Sequence, residues 1–176
     1  MKIISGKYKG RVIKGYDILG TRPTMDRVRE SLFATIQYYI KDSVVLDLFA
    51  GTGSLGFEAL SNGAKKVIFV DKNKKCIEQI KETIQVINVT EEIKLINKDY
   101  KEALKEVEKV DIIFLDPPYH EKILNDSIKI IEELDILNNN GLIIAEYEEE
   151  NPISNYNLIK EKKYGDKYIK IFKKKI

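Results

Sequence analysis

An α/β fold, with a mostly parallel sheet covered on both faces by helices, is predicted by three features of this sequence. Short continuous apolar runs recur from Val44 onward and alternate with stretches that place apolar residues every three or four positions. Strands buried on both faces read as such runs, and parallel strands need crossover connections between them. The first run leads into a glycine turn, Gly51-Thr52-Gly53. The last two runs alternate in polarity and meet at Gly165-Asp166, the signal of a terminal hairpin that adds an antiparallel strand.

Taken in order, residues 2–4 and 11–14 read as β-type runs around a tip bracketed by Gly6 and Gly10. A hairpin this small cannot be stable alone and must lean on the rest of the chain. Its tip interleaves Lys7, Tyr8, Lys9 and Arg11, pairing cations for phosphates with a ring for stacking, as readers of single-stranded RNA do. Gly15 to Gly20 is a loop. Thr24 is the expected N-cap of a helix whose apolar stripe is Val28, Leu32, Phe33 and Ile36. Arg22, Arg27 and Arg29 crowd its start, where the helix dipole favours acids; an anionic partner or local pairs with Asp26 and Glu30 account for them.

Val44-Val45-Leu46 is a buried strand ending at Asp47, and the helix after the glycine turn carries Leu55, Ala59 and Leu60. Val67–Val70 is a second strand, ending at Asp71, followed by a helix over 73–88. Ile93–Ile96 is a third, ending near Asp99, with a short helix over 100–107. Residues 111–115 are a fourth, running straight into Asp116-Pro117-Pro118-Tyr119, with a helix over 121–136 after it. Residues 141–145 are a fifth, followed by the acidic Glu146-Tyr147-Glu148-Glu149-Glu150; the runs 156–164 and 167–173 close the chain.

The 176 residues suit one domain, with 1–20 as a ribbon appendage and 21–176 as the catalytic core. One cysteine and one histidine leave no intrachain disulfide and no His/Cys metal cluster, so no metal is expected. The N-terminal residues show no apolar leader and no run approaches a membrane span, so a cytoplasmic protein without a membrane partner is expected. The net charge of +2 hides an asymmetry: residues 1–14 carry +5 and residues 160–176 carry +6, leaving −9 between them. Basic ends on an acidic body suit a polyanion, although terminal lysines also serve solubility.

In open α/β sheets ligands bind beyond the carboxyl ends of the strands. Asp47, Asp71, Asp99 and Asp116 all fall at or near those ends. Gly51-x-Gly53-x-x-Gly56 with Asp71 downstream matches a dinucleotide fingerprint, so a nicotinamide cofactor is one reading. Four acids on one rim repel phosphate, however, and suit a ligand with a cation, hydroxyls and amines. S-adenosylmethionine fits better: Asp71 would take its ribose hydroxyls and Asp99 its adenine amine. The Asp116-Pro-Pro-Tyr run carries the reaction. Two prolines after a buried strand fix the backbone and remove two N–H donors, leaving the Asp116 carboxylate and the Pro117 carbonyl as acceptors. Acceptors holding both hydrogens of a nucleobase amine free its lone pair, Tyr119 can stack on the base, and positioning supplies much of the barrier reduction. His120, next in line, is not assigned a role.

Four blocks carry a resemblance: residues 4–11, Ile-Ser-Gly-Lys-Tyr-Lys-Gly-Arg; residues 21–33, from Thr21-Arg22-Pro23 to Leu32-Phe33; residues 46–56, Leu-Asp-Leu-Phe-Ala-Gly-Thr-Gly-Ser-Leu-Gly; and Asp116-Pro117-Pro118-Tyr119. In this order they resemble the bacterial 16S rRNA guanine-N2 methyltransferases of the small-subunit methyltransferase D type. The resemblance implies a seven-stranded Rossmann-like class I methyltransferase fold. It implies S-adenosylmethionine as donor, leaving S-adenosylhomocysteine, and one guanine of 16S rRNA in the small subunit or its assembly intermediate as target. Asp116, Pro117, Pro118 and Tyr119 are then the catalytic set. Asp47, Phe49, Ala50, Gly51, Thr52, Gly53, Asp71, Lys72, Asp99, Tyr100 and Thr24 hold the cofactor. Lys7, Tyr8, Lys9, Arg11, Arg22, Arg27 and Arg29 meet RNA, and the enzyme is expected to act as a monomer. Where relatives often carry a tryptophan, this ribbon has Tyr8 and the chain has no Trp. A DNA adenine-N6 or cytosine-N4 methyltransferase and a catalytically silent ribosome-assembly protein are the alternatives; the first lacks room for a target-recognition insert, and the second is disfavoured by the intact Asp-Pro-Pro-Tyr.

Overall fold

A computed structural model describes residues 1–15, 23–118 and 122–175, with Pro23 and Thr24 described in backbone alone. Arg22, Tyr119 and His120, and the side chain of Thr24, therefore lie outside the described residues. Among those described, the elements run α1 (Pro23–Ile40), β1 (Val44–Asp47), α2 (Ser54–Ser61), β2 (Lys66–Val70), α3 (Lys74–Ile87), β3 (Glu92–Ile96), α4 (Tyr100–Glu106), β4 (Val110–Leu115), α5 (Leu124–Glu133), β5 (Leu137–Tyr147), β6 (Asn157–Tyr164) and β7 (Lys167–Lys173).

One seven-stranded sheet has the order β3-β2-β1-β4-β5-β7-β6. The first five strands pair in parallel, and β7 pairs antiparallel with both β5 and β6. The strand order reverses between β1 and β4, which opens a crevice at their carboxyl ends. Successive side chains of a strand point to opposite faces, and each face builds its own core. Val45, Val67, Phe69, Ile112 and Phe114 pack with the N-terminal ribbon, α1, α2 and α3. Leu46, Ile68, Ile113, Leu115 and Ile143 pack with α4 and α5.

The ribbon docks on the first of these faces. Lys2 bridges Val12 antiparallel, and Ile3, Tyr8 and Ile13 are buried in the core. Gly6 sits at φ +84°, and a Cβ there would lie 2.0 Å from the Ser61 carbonyl oxygen, so only glycine allows this approach. Lys7 N–H donates to the Ser61 carbonyl at 2.7 Å, and Tyr8 N–H to Ser61 Oγ at 2.8 Å.

Three boundaries differ from the sequence reading. The helix α1 begins at Pro23, so Thr24 lies inside the first turn and is not the N-cap. Proline suits that first turn because its fixed φ is helical and its missing N–H would have no partner there. The helix expected over 121–136 is described from Leu124 to Glu133. Glu150, from the acidic run after β5, accepts from the N–H groups of Leu124 and Asn125 at its start (3.1 and 2.9 Å), and Asp135 at φ 51° ends it. Strand β5 begins at Leu137 rather than Gly141, because Leu137 pairs with Val110 before an irregularity shifts the register.

Candidate functional site

A cleft of about 370 Å³ lies over the carboxyl ends of β1, β2, β3 and β4. Asp47, Asp71, Asp99 and Asp116 all line it, with Phe49, Ala50, Gly51, Thr52, Lys72, Tyr100, Pro117 and Pro118. The rim acids chosen from strand ends thus converge on one space.

Each acid on the β1–β3 side is oriented by backbone N–H groups. Asp47, 2% exposed, accepts from Gly56 N–H in the first turn of α2 at 3.2 Å. Burial pushes its carboxyl up to about 7, against the Gly56 hydrogen bond and with help from the charge of Asp71. Asp71 accepts from Gly51 N–H at 2.9 Å and from Asn73 N–H at 2.8 Å, so it ties the glycine turn to the end of β2. Asp99 caps α4 by accepting from Lys101 N–H at 3.3 Å. The Tyr100 ring lies 5.6 Å from that of Phe49, and its hydroxyl donates to Asp126 at 2.5 Å.

The cleft fits a ligand with the parts of S-adenosylmethionine. Gly51, at φ +56°, would carry a Cβ into open space, so the turn leaves its upper side bare for a close approach. Thr52 Oγ1 is buried without a hydrogen-bond partner among the described residues. A buried polar atom without a partner costs free energy until a ligand or water meets it. Asp71 keeps acceptor capacity on both oxygens for a diol, Asp99 is exposed at the far end for an amine, and the near-neutral Asp47 is poised to ionise against a cation.

Asp116 stands directly after β4 at the edge of this cleft, with Pro117 buried and Pro118 exposed behind it. Its carboxyl is raised well above the usual range by burial, then by the neighbouring charge of Glu146, with Lys167 opposing and Asp47 adding. Glu146 on β5 pairs with Lys167 at the start of β7 at 3.1 Å. The sequence reading left both without a role. Glu146 follows a buried strand as Asp47 and Asp116 do, a signal hidden by the acidic run around it.

Two residues assigned to RNA are turned inward. Tyr8 is 5% exposed; its hydroxyl donates to Glu91 and accepts from Thr90 N–H at 3.2 Å. A ring buried in the core cannot stack on a base, so Tyr8 is a strut for the ribbon. Arg29 is 4% exposed, donates to the Lys2 carbonyl at 2.5 Å, and lies 3.4 Å from Asp26 and 3.5 Å from the buried Glu58. Glu58 in turn accepts from Ile4 N–H at 2.8 Å and Ser5 N–H at 3.2 Å, and so joins ribbon, α1 and α2. This hub had no sequence signal beyond an acid within an apolar helix. Lys7, Lys9, Arg11 and Arg27 remain exposed, with Lys7 paired to Glu91 at 3.2 Å and Arg11 donating to the Ile87 carbonyl at 3.3 Å.

The profile of a family described as "Conserved hypothetical protein 95" matches residues 1–173. The ribosomal RNA small subunit methyltransferase D of Haemophilus influenzae is 40% identical over 172 residues, covering 94% of this chain and 89% of that protein. The protein of the same name from Escherichia coli K12 is 31% identical over 179 residues, covering 99% and 90%. The solved structure of Escherichia coli yhhF aligns at a TM-score of 0.89 and 28% identity, covering 100% of this chain and 98% of that one. With an Asp-Pro-Pro corner at the switch point of a seven-stranded sheet and relatives matched over nearly their whole length, the chain belongs to this family, that of the small-subunit ribosomal RNA methyltransferase D.

Proposed function

We propose that this chain transfers the methyl group of S-adenosylmethionine to the exocyclic N2 amine of a guanine in 16S rRNA, within the small ribosomal subunit or its assembly intermediate. The observation that carries this reading is the position of Asp116: a carboxylate and a proline carbonyl at the edge of an acid-lined cleft, on the strand next to the glycine turn. Relatives named for ribosomal RNA of the small subunit support the substrate class.

The cofactor supplies an electrophilic methyl group on a sulfonium. The chain's residues do the rest. Asp71 and Asp99 would hold the cofactor's hydroxyl and amine ends, and Asp47 would offset its positive charge. The Asp116 carboxylate and Pro117 carbonyl accept the two hydrogens of the target amine and turn its lone pair toward the methyl. With the cofactor bound, its methyl would pass from sulfur to that nitrogen, and Asp116, whose buried carboxyl holds protons more tightly than usual, would take the proton the nitrogen sheds. Tyr119, outside the described residues, is the proposed stacking partner of the base. Lys7, Lys9, Arg11, Arg22 and Arg27 are the proposed phosphate contacts.

Methyl transfer from labelled cofactor to small subunits lacking the modification tests this reading, with the product position mapped by mass. Asp116→Ala is expected to lower kcat about 10³-fold while cofactor affinity changes less than about threefold. Equal labelling by wild type and variant sinks the assignment.

A further inference from the structure

A second cavity, of about 330 Å³, adjoins the cofactor cleft and shares Asp116 with it. It lies between α1, the turn joining β6 to β7, and the ends of β4 and β5, and its apolar wall includes Val28, Leu32 and Phe114. Of the charged residues that line it, which also include Arg29, Glu148 and Asp166, three form a row across adjacent strands: Asp116 after β4, Glu146 in β5 and Lys167 in β7. Register places them on one face of the sheet. Leu115 pairs with Ala145, so Asp116 and Glu146 are the next step on both strands; Glu146 pairs with Ile169, two residues from Lys167. With both carboxylates ionised, the row reads acceptor, acceptor, donor.

Guanine offers the complementary row on its Watson–Crick edge: the N2 amine, N1–H and the O6 carbonyl. Adenine and cytosine carry a bare ring nitrogen next to the amine, which would set one lone pair against another at Glu146. The wall makes a separate demand. Arg29, buried in that wall, has its charge paired with Glu58 at 3.5 Å and Asp26 at 3.4 Å, but its Nη1 hydrogens meet no hydrogen-bond acceptor among the described residues. A base carrying carbonyl and ring-nitrogen acceptors answers it; a purely apolar occupant does not.

We propose that this second cavity is the pocket for the target guanine, with Asp116 accepting from the N2 amine, Glu146 accepting from N1–H and Lys167 donating to O6. The proposal rests on the guanine-N2 reading and adds the groups that enforce it. Glu146 is a specificity residue that touches the base without touching the transferred methyl. Its ion pair with Lys167 holds both groups in place before the base arrives, so little ordering remains to be done on binding. A site built to hydrogen-bond a base edge rejects an analogue lacking that edge far more strongly than an apolar pocket does.

The test uses small subunits reconstituted with either guanine or 2-aminopurine at the mapped target position. 2-Aminopurine keeps the N2 amine, presents a bare N1 and lacks O6. Wild type is expected to favour guanine by ~10²-fold or more in kcat/KM. Glu146→Gln places an N–H donor opposite N1. It is expected to lose ~10²-fold on guanine while staying within about fivefold of wild type on 2-aminopurine, a collapse of the preference that a structural role would not produce. Cofactor affinity within about twofold of wild type shows that the variant is folded. Equal losses on both substrates, or undiminished activity on guanine, overturn the proposal. Should Glu146→Gln fail to fold, Lys167→Met decides: a loss on guanine with none on 2-aminopurine supports the pocket, and equal losses overturn it. Failure of the guanine-N2 reading itself is seen separately, as wild type transferring no methyl to guanine N2.

Discussion

The two sides of the candidate cleft handle their acids in opposite ways. On the β1–β3 side, the main chain satisfies each carboxylate: Gly56 N–H on Asp47, Gly51 and Asn73 N–H on Asp71, Lys101 N–H on Asp99. On the β4–β5–β7 side, side chains set the charge: Glu146 opposes ionisation of Asp116, and Lys167 pairs with Glu146. Backbone donors come with the turn that carries them and do not titrate, so they suit a site that grips the same cofactor in every cycle. A row of side chains can exchange partners when a base enters, which suits a site that must move a proton and choose a substrate.

The largest effect expected from this contrast is a split in kinetics. Asp71→Ala removes the charge that orients Gly51 and is expected to weaken cofactor binding about 30- to 100-fold, from about 2–3 kcal/mol of lost charge-assisted hydrogen bonding. Calorimetry on this variant beside Asp116→Ala should show affinity lost in the first and turnover lost in the second. The same pattern in both would erase the distinction between the two sides.

A pH series sharpens it. Asp47 is held up to about 7, and a cationic ligand favours its ionised form, so cofactor affinity should rise as pH increases from 6 toward 7 and level off above. The slope is at most about tenfold per pH unit. Stability of the ligand-free protein runs the other way. The folded state holds this proton more tightly than the unfolded chain does, so the contribution from Asp47 is complete below about 4 and is lost as pH rises through about 7. Asp47→Asn should therefore flatten the affinity profile and gain thermal stability over wild type at pH 8 relative to pH 5. An unchanged affinity slope in Asp47→Asn would remove Asp47 from the cofactor's charge.

The smallest effect concerns the ribbon outside both sides. Tyr8→Phe deletes the hydroxyl that reaches Glu91 and Thr90 and should cost about 1–2 kcal/mol of stability, with subunit affinity nearly unchanged. A large loss of RNA affinity with stability intact would restore Tyr8 as a base-stacking residue.

Much of the β1–β3 side of the cleft was legible along the chain because its parts are local. Asp47 and the glycine turn lie within one strand–turn–helix unit, and Asp71 and Asp99 follow the apolar runs that mark β2 and β3. The Asp116-Pro-Pro corner was legible for the same reason. The boundaries of α5 and β5 were not. Glu150 caps α5 from beyond β5, and Val110 recruits Leu137 into pairing, both contacts between segments distant in sequence. Tyr8 and Arg29 were misplaced because an aromatic ring and a guanidinium look alike on a surface and in a core until their partners are known. Their partners, Glu91, Glu58 and the Lys2 carbonyl, come from other elements.

The sequence by itself determined the alternation of strands and helices, the acids at or near the exits of β1 to β4 and the proline-locked corner, because periodicity and backbone restriction act over a few residues. Only the tertiary structure decided which charges meet across the rim. Asp116, Glu146 and Lys167 come together because β4, β5 and β7 pair in a register set by the two cores on either side of the sheet. Side-chain polarity alone cannot specify that register, since the same acids one position along would face the opposite side of the sheet.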